Sequence, residues 1–445
     1  MKTKKTRSAK TQNYKTIGAC FKEIDFNNLA MKSGFKKRKP KKIKGKSLII
    51  SFIIMALKGS NTFEMWAQEL SLATKRTLSK QAICKRMTAC FVNFVHLVLT
   101  KIFSQHIEQT CKKVKNSGKL KNFKNILVQD STIICLPKCL SCCYPGNYSL
   151  GEIKALIKIQ LIIELMSNKV VSFCITPYAK KDQSMSETII DVAKQGDLVL
   201  RDLGYFSLHV FEQLKDKGIS FISRIKSGVK IFDPKTGMEI NLVRLLRKEK
   251  KMDRWVLVGK EQKLLLRIVA LRLADEIANE KIRKEKKNRD KRLNHSNDYF
   301  ELMRYNIYIT TEHYSSLSTT KVAQVYTLRW RIETIFKTWK SNFHLQKLIV
   351  PNIKMTNERV ESIIYLMLIF IMQFQLRIYN QVLGMHKTGS TIVNISITKL
   401  SKFIAERIKD ILEISFSELI KYIDYYCRYD KRNDRKNYLQ NLILS

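Results

Sequence analysis

The sequence predicts an α/β core set between two helical regions. Apolar residues recur with a helical period from residue 47 to 115, strand-like runs follow between 120 and 225, and long apolar helical patterns return after 345. The chain of 445 residues is too long for one ordinary core, and its 45% of hydrophobic residues is enough to bury several units. We therefore expect one central α/β unit with helical flanks.

The chain is strongly basic along its whole length. It has 82 Lys or Arg against 38 Asp or Glu, which gives a formal charge of +44. A polyanion is the expected partner. The longest apolar runs, 47–57 and 363–376, are shorter than the ~20 residues that a membrane-spanning helix needs. We therefore expect no membrane partner and a cytoplasmic, nucleoid-associated protein.

The N-terminal region predicts a basic arm followed by helices. Residues 1–46 carry sixteen Lys or Arg against two acidic residues, and Ser79 is a suitable N-cap for a helix within 47–115. We interpret 47–115 as a helical DNA-binding domain with a helix-turn-helix-like pair. A basic helical bundle with no groove-reading helix is the alternative. In either arrangement the cations that would contact phosphates are Lys80, Lys85 and Arg86.

The central region has the element order βββαβαβ. The predicted elements are strands at 125–134, 155–165 and 169–176, a helix at 184–194, a strand at 198–201, a helix at 206–217 and a strand at 219–225. That order matches a ribonuclease-H-like fold, which ends in a helix. The missing helix is predicted at Val325–Lys340, so the core would comprise 120–225 and 300–345.

The segment between the two parts of the core is longer than the fold requires. Asp202 and Glu333 are 131 positions apart, whereas a helix, a strand and the start of another helix need roughly 50 residues. The surplus at 226–299 contains strand-like pieces and predicts a β-rich insertion. Residues 346–445 predict a helical C-terminal region that packs on the core and on a second subunit.

The predicted helix Val325–Lys340 has one apolar and one polar stripe. Four polar side chains lie within an arc of roughly 60°, at the edge of the apolar face. They are Tyr326, Arg329, Glu333 and Lys340. Arg329 and Glu333 alone are also an ordinary i,i+4 pair, worth a few tenths of a kcal/mol on an exposed helix.

Three carboxylates are predicted to converge at one edge of the sheet. Asp130 lies in the first strand, Asp202 ends the fourth, and Glu333 lies on the helix that packs across them. Rigid elements that bring carboxylates together favour a site for hard divalent cations. Transfer of a phosphoryl group between DNA strands is commonly served by two Mg²⁺ ions, for which Mn²⁺ would substitute.

The spacing of these residues resembles a known signature. Tyr326, Arg329, Glu333 and Lys340 are separated by two, three and six residues, as in the YREK signature of a large family of bacterial insertion-sequence transposases, often called the insertion-sequence-four family. The residues that follow Asp130 and Asp202, Ser-Thr and Leu-Gly-Tyr, and the position of the insertion are similar to that family as well. The resemblance covers about 120–345 closely.

The resemblance implies a DDE transposase that cuts the 3′ ends of its element with water and joins them to target DNA. Asp130 would bridge two metal ions, and Asp202 and Glu333 would each hold one. Tyr326, Arg329 and Lys340 would contact the terminal inverted repeats, and the DNA complex would contain a homodimer.

In family members that form a DNA hairpin, a tryptophan of the insertion stacks a flipped base. Trp255 is the candidate here, and an ordinary strand core residue is its alternative interpretation. For the whole chain, an inactive DNA-end-binding remnant and a nonspecific nuclease on the same fold are the alternatives.

Overall fold

The computed structural model describes residues 21, 24–36, 43–58, 60, 62–111, 120–149, 151–166, 169–287, 296–345, 355–376, 378, 395–411 and 414–428. Most of the predicted basic arm lies outside these residues, as do 288–295 of the predicted insertion and 429–445 of the predicted C-terminal region.

The N-terminal part is helical. Its helices are α1 (Phe26–Lys32), α2 (Gly45–Leu57), α3 (Phe63–Thr74), α4 (Lys80–Cys84) and α5 (Ala89–Cys111). Helix α1 lies within the predicted arm. A helix forms there because Asp25 caps it and because Phe26 and Ala30 are buried on its inner face. Ser79 caps α4 as predicted, but α4 ends after little more than one turn.

One mixed sheet forms the centre of the protein. Its strands are β1 (Ile126–Leu136), β2 (Pro145–Ser149), β3 (Glu152–Glu164), β4 (Lys169–Pro177), β5 (Leu198–Arg201), β6 (Ser220–Arg224), β7 (Ile231–Phe232), β8 (Lys251–Val258), β9 (Leu264–Arg272) and β10 (Tyr305–Thr310). The spatial order is β2-β3-β1-β5-β6-β10-β9-β8-β7, with β4 also paired to β3. The predicted α/β class is confirmed, and the short strand β2 is an addition to the predicted elements.

Strand directions determine where the ends of the central strands meet. β1 is antiparallel to β3 and parallel to β5, and β5 is parallel to β6. Gln129 of β1 pairs with Arg201 of β5, so Asp130 and Asp202 follow at the same level of the sheet. This pairing brings together two residues that are 72 positions apart in the chain.

The segment 226–299 extends the same sheet. Its strands β8 and β9 pair with each other, and β9 pairs with β10, which pairs with β6. Two helices accompany these strands, α8 (Leu242–Glu249) and α9 (Asp275–Lys286), and α10 (Asn297–Leu302) precedes β10. The sheet therefore continues from the central strands into this segment, and the division of the chain into domains stays a prediction.

The predicted helix Val325–Lys340 is two helices. They are α11 (Thr319–Thr327) and α12 (Trp330–Ser341). At the junction, the amides of Leu328 and Arg329 donate to the carbonyls three residues earlier, at 3.0 and 3.1 Å, which is a tighter turn than the α-helix. The prediction of one continuous helix was wrong, and a single helical wheel does not describe all four polar residues.

Helices cover both faces of the sheet. On one face, α6 (Thr188–Val192) and α7 (Leu208–Asp216) pack on residues such as Leu127 and Val199. On the other face, the larger core includes Val128 and Leu200 beneath α2, α5, α12 and the C-terminal helices. The C-terminal helices are α13 (Asn357–Ile371), which continues as a π-helical turn over Met372–Leu376, α14 (Ile397–Ile411) and α15 (Phe416–Tyr426). Within the described ranges, no helix has the length and apolar character to cross a membrane.

Helix α12 carries two tryptophans in opposite environments. Trp339 is 1% exposed, and its indole N–H donates to Gln375 Oε1 at 2.9 Å, whereas Trp330 is 59% exposed. We predict that Trp339→Ala lowers the free energy of unfolding by about 3–5 kcal/mol through the cavity it leaves. Trp330→Ala should change it by less than about 1 kcal/mol. Chemical denaturation of both variants measures the difference, and equal losses would contradict this orientation of α12.

Candidate active site

Three carboxylates from three elements surround one guanidinium. Arg329 Nη1 lies 3.4 Å from Asp130 Oδ2, and Arg329 Nη2 lies 3.6 Å from Asp202 Oδ1 and 2.7 Å from Glu333 Oε1. Asp130 is in β1, Asp202 directly follows β5, and Glu333 is in the first turn of α12. The structure therefore brings together the three carboxylates that were predicted as metal ligands.

A buried arginine holds the strands that carry the two aspartates. Arg201 is fully buried and donates to Gln129 Oε1 at 2.6 Å, to the Ser186 carbonyl at 3.1 Å and to the Tyr205 carbonyl at 3.0 Å. These bonds join β5 to β1 and to the loops before and after β5. Burial lowers the pKa of Arg201 to about 9. The residues next to Asp130 and Asp202 in the sequence thus fix their relative position.

Burial dominates the electrostatics of Asp130. Burial raises the pKa of the Asp130 carboxyl to about 7, against the opposing effects of the Ser131 N–H and the Arg329 guanidinium, while Asp202 and Glu333 raise it further. The Ser131 amide donates to Asp130 Oδ1 at 2.7 Å. Burial thus disfavours the ionised form of this carboxyl, and a facing cation favours it.

The facing cation in this structure is Arg329. Burial lowers the pKa of its guanidinium, but Asp202 and the other acidic neighbours together raise it above the ordinary value. Its Cζ also lies over the rings of Tyr326 and Trp330, at 5.9 and 5.5 Å from the ring centres. Its Nε is buried and has no hydrogen-bond acceptor among the described residues. This arginine therefore neutralises the carboxylates and retains one unused donor.

The donor set fits a hard divalent cation. Carboxylate oxygens are the ligands that Mg²⁺ and Mn²⁺ prefer in proteins. As the side chains stand, no three His, Cys, Asp or Glu residues in the described part of the chain are placed to hold a metal ion. The guanidinium lies between the three carboxylates, so a bound ion would require Arg329 to move aside.

A second polar network lies on the other side of Asp130. Lys158, Gln160 and Ser131 donate to Asp182 Oδ1 at 3.2, 2.9 and 3.1 Å, and the Tyr205 hydroxyl donates to Gln160. Sequence reasoning missed these residues. The one available signal was the pair of buried polar positions in β3, Lys158 and Gln160, two residues apart on one face of an apolar strand. Nothing in the sequence around Asp182 indicated where it lies.

Two predicted DNA contacts flank the carboxylates. Tyr326 is 5% exposed, and its hydroxyl donates to the Arg201 carbonyl at 3.1 Å, so it supports the strand before Asp202. Lys340 is half-buried in the last turn of α12, and burial lowers the pKa of its ammonium. Their contacts with DNA stay predictions.

The remaining predicted residues lie elsewhere. Trp255 is in β8, and cross-strand pairs through β9, β10, β6 and β5 place it on the same face of the sheet as Val128. Five strand spacings separate it from β1, roughly 24 Å. Trp255 stacks on His313 with ring centres 6.4 Å apart. Its role also stays a prediction.

The predicted N-terminal cations lie on and after α4. Lys80 and Lys85 are exposed, and Arg86 is half-buried and donates to the Ala82 carbonyl. Helix α4 packs against α3. The interpretation of these helices as a helix-turn-helix-like pair stays a prediction.

Comparisons with known proteins show the family of this chain. Residues 122–352 match the family described as the transposase DDE domain. The chain is 30% identical over 364 residues to the transposase for insertion sequence element IS231B of Bacillus thuringiensis subsp. berliner, which covers 77% of this chain and 74% of that protein. It is 29% identical over 365 residues to the transposase for insertion sequence element IS231D of Bacillus thuringiensis subsp. finitimus, which covers 78% and 75%.

A structural likeness is weaker. The piggyBac transposase synaptic complex with hairpin DNA aligns with a TM-score of 0.42 and 9% identity over 94% of this chain and 80% of that chain. The fold of this chain is therefore defined by its strand order and register.

The family match over residues 122–352 defines the chain as a DDE enzyme. The chain belongs to the DDE transposase family, and its relatives are transposases of insertion sequences. Enzymes of this family use divalent metal ions.

Competition between Arg329 and a divalent cation can be measured. We predict that Arg329→Met lowers the free energy of unfolding in EDTA by roughly 1–3 kcal/mol, because three carboxylates then face one another without a cation. Saturating MgCl₂ should raise the melting temperature of this variant more than that of the wild type, since no guanidinium has to be displaced. The control is Lys337→Met on the exposed side of α12. An equal response to MgCl₂ in all three proteins would contradict binding between the carboxylates.

Proposed function

We propose that this transposase cuts the ends of its insertion sequence and joins them to target DNA at Asp130, Asp202 and Glu333, with Mg²⁺ as the cofactor and Mn²⁺ as a substitute. The observation that carries the proposal is the convergence of these three carboxylates on one guanidinium, within 3.6 Å. The same residues are the metal ligands implied by the YREK resemblance.

A ribonuclease-H-like core is part of the proposal. The order β4-β3-β1-β5-β6, with β3 antiparallel to β1 and with β5 and β6 parallel to it, supports this assignment. The helix α12 completes it by packing against β1. Segment 226–299 would be the insertion, 47–115 the DNA-binding domain and 346–445 the helical C-terminal region.

The reaction consists of two displacements at phosphorus. Water attacks the phosphodiester at the element end and the 3′ oxygen of the element leaves; that 3′-hydroxyl then attacks a target phosphodiester, and a target 3′ oxygen leaves. Mg²⁺, when bound, would polarise the phosphate and assist ionisation of the attacking hydroxyl. The protein's part is to hold the three carboxylates on rigid elements and to bind the DNA.

Arg329 would change partners during this cycle. If a divalent ion faced the carboxylates instead, the guanidinium would be free to donate to a phosphate, for which its unused Nε is suited. Lys340 lies two helical turns beyond Glu333, about 10 Å along the axis, and would contact a neighbouring phosphate. Tyr326 would act with them, and Trp255 would stack a flipped base if a hairpin forms.

The partner would be double-stranded DNA, both as terminal inverted repeats and as target. The charge of +44 supports a polyanionic partner. We also propose a homodimer on the DNA and a cytoplasmic, nucleoid-associated location. A remnant that only binds element ends would not cut DNA. A nonspecific nuclease would cut DNA without preferring the terminal repeats.

Each carboxylate should be essential for cutting and dispensable for binding. We predict that Asp130→Ala, Asp202→Ala and Glu333→Ala each abolish Mg²⁺-dependent nicking of duplexes that carry the terminal repeats. Gel-shift affinity should stay within about threefold, because Lys and Arg contacts with phosphates dominate it. Asp191→Ala, an exposed carboxylate on α6, is the matched control that should cut normally. Cleavage by any one of the three variants would remove that residue from the site.

Binding should depend strongly on salt. With many cations available for phosphate contacts, the slope of log K against log salt concentration should be steeper than about −4, at ~0.9 per neutralised phosphate. Fluorescence anisotropy across a series of NaCl concentrations measures the slope. A flat dependence would mean that the basic residues do not contact DNA phosphates.

A further inference from the structure

Arg224 lies in the same row of the sheet as the two catalytic aspartates. Gln129 pairs with Arg201 and Arg201 pairs with Ser223, so the following residues, Asp130, Asp202 and Arg224, are level with one another. Arg224 is one strand spacing from Asp202 and two from Asp130, roughly 5 and 10 Å. Their side chains share one face of the sheet, because they follow Val128, Leu200 and Ile222 of the larger core by two residues.

A second cation approaches Arg224 from α9. Strand β9 ends at Arg272, which pairs with Tyr305 of β10. Strands β9 and β6 are both antiparallel to β10, so they end at the same edge of the sheet. Helix α9 begins at this edge, three residues after Arg272. Lys281 of α9 is half-buried. Burial lowers the pKa of the Lys281 ammonium, and the positive charge of Arg224 lowers it further. Arg224, in the catalytic row, and Lys281, on the helix that begins at the same edge of the sheet, therefore act on each other as like charges.

Three of the four acidic residues of α9 have other partners. Glu280 pairs with Lys284 at 2.6 Å, Asp275 pairs with Arg272 at 3.0 Å, and Glu285 accepts from the Tyr299 hydroxyl at 3.5 Å. Among the described residues, neither Arg224 nor Lys281 has a carboxylate within ion-pair distance. Holding two like charges together in a partly buried position is unfavourable, and an anion between them would offset that cost.

We propose that Arg224 and Lys281 together bind one phosphate of the DNA strand that enters the active site. The guanidinium would donate to two oxygens of that phosphate, and the ammonium would add a point charge. A distance of 5–10 Å from the aspartates corresponds to about one to three nucleotides at 3.4 Å per nucleotide of one strand. This inference rests on the proposed function and adds a contact outside the YREK residues.

Charge removal at these positions gives a specific test. With a duplex carrying the terminal repeat, Arg224→Gln and Lys281→Gln should each make the slope of log K against log salt less steep, by up to about 0.9. Arg224→Lys retains the charge and should keep the wild-type slope. Lys284→Gln, three residues from Lys281 on the same helix and paired with Glu280, is the matched control and should also keep it.

Neutral DNA analogues locate the phosphate. A methylphosphonate placed in turn at each of the phosphates nearest the cleaved bond should weaken binding by the wild type at the positions that Arg329, Lys340 and this pair contact, and the pair's own position should lie within about three nucleotides. At that position it should have no effect on Arg224→Gln or Lys281→Gln. The proposal would be overturned if methylphosphonates reduced affinity equally in the wild type and both variants at every position. Slopes of log K against log salt that are the same in the wild type and both variants would also overturn it.

Two further outcomes separate the alternatives. If inorganic phosphate raises the melting temperature of the wild type but not of Arg224→Gln, while the DNA slopes are unchanged, the pair binds a free anion and the proposal fails. The salt slopes and the methylphosphonate effects are measured on binding, so they test this proposal whether or not the wild type cuts DNA. Absence of Mg²⁺-dependent cutting by the wild type would instead count against the proposed function.

Discussion

Repulsion between three carboxylates is the constraint on which the rest of this structure depends. Asp130, Asp202 and Glu333 all lie within 3.6 Å of the Arg329 guanidinium, in a partly buried position where charges interact strongly. Such a cluster opens unless rigid elements hold it and a cation faces it. The parallel pairing of β1 and β5 and the packing of α12 supply the rigidity, and Arg329 supplies the charge. A cluster built in this way can exchange one cation for another.

Hydrogen bonds on the face of β1 opposite the Asp130 side chain stabilise that arrangement. Gln129 accepts from Arg201 and donates to the Met185 carbonyl, which joins the central strands to the segment before α6. On the same face, Asp182 accepts from three side chains, of which Ser131 directly follows Asp130. Buried polar groups of this kind are costly unless they are bonded, so these bonds restrict the strands to one register. Gln129 and Ser131, the two chain neighbours of Asp130, are each fixed by these bonds.

The continuous sheet connects the edge that carries the carboxylates with the charged segment that follows it. Because β9 and β10 extend the row from β6, the start of α9 comes to the edge that carries Asp202. Arg224 occupies the intervening position. Positive charge therefore lies next to the carboxylates in the same sheet. The positive side chains would attract an anionic strand, and the carboxylates would attract a divalent cation.

The sequence alone determined the α/β class, most strands and the three carboxylates. Alternating and continuous apolar runs predict strands locally, and the spacing of Tyr326, Arg329, Glu333 and Lys340 carries the resemblance that singled out Glu333. The break between α11 and α12 was missed, because i,i+3 bonds at Leu328 replace helical ones without any Gly or Pro to mark them.

Only the tertiary structure decided which charges meet. Arg329 appeared as one member of a surface stripe, yet it lies among carboxylates from β1 and β5 that are 199 and 127 positions away in the chain. Arg201, Asp182 and Arg224 have no local pattern, since their partners are set by strand order and register. Hydrophobic periodicity is a property of a few neighbouring residues. Charge neutralisation and buried hydrogen bonds depend on pairs that only the folded chain brings together.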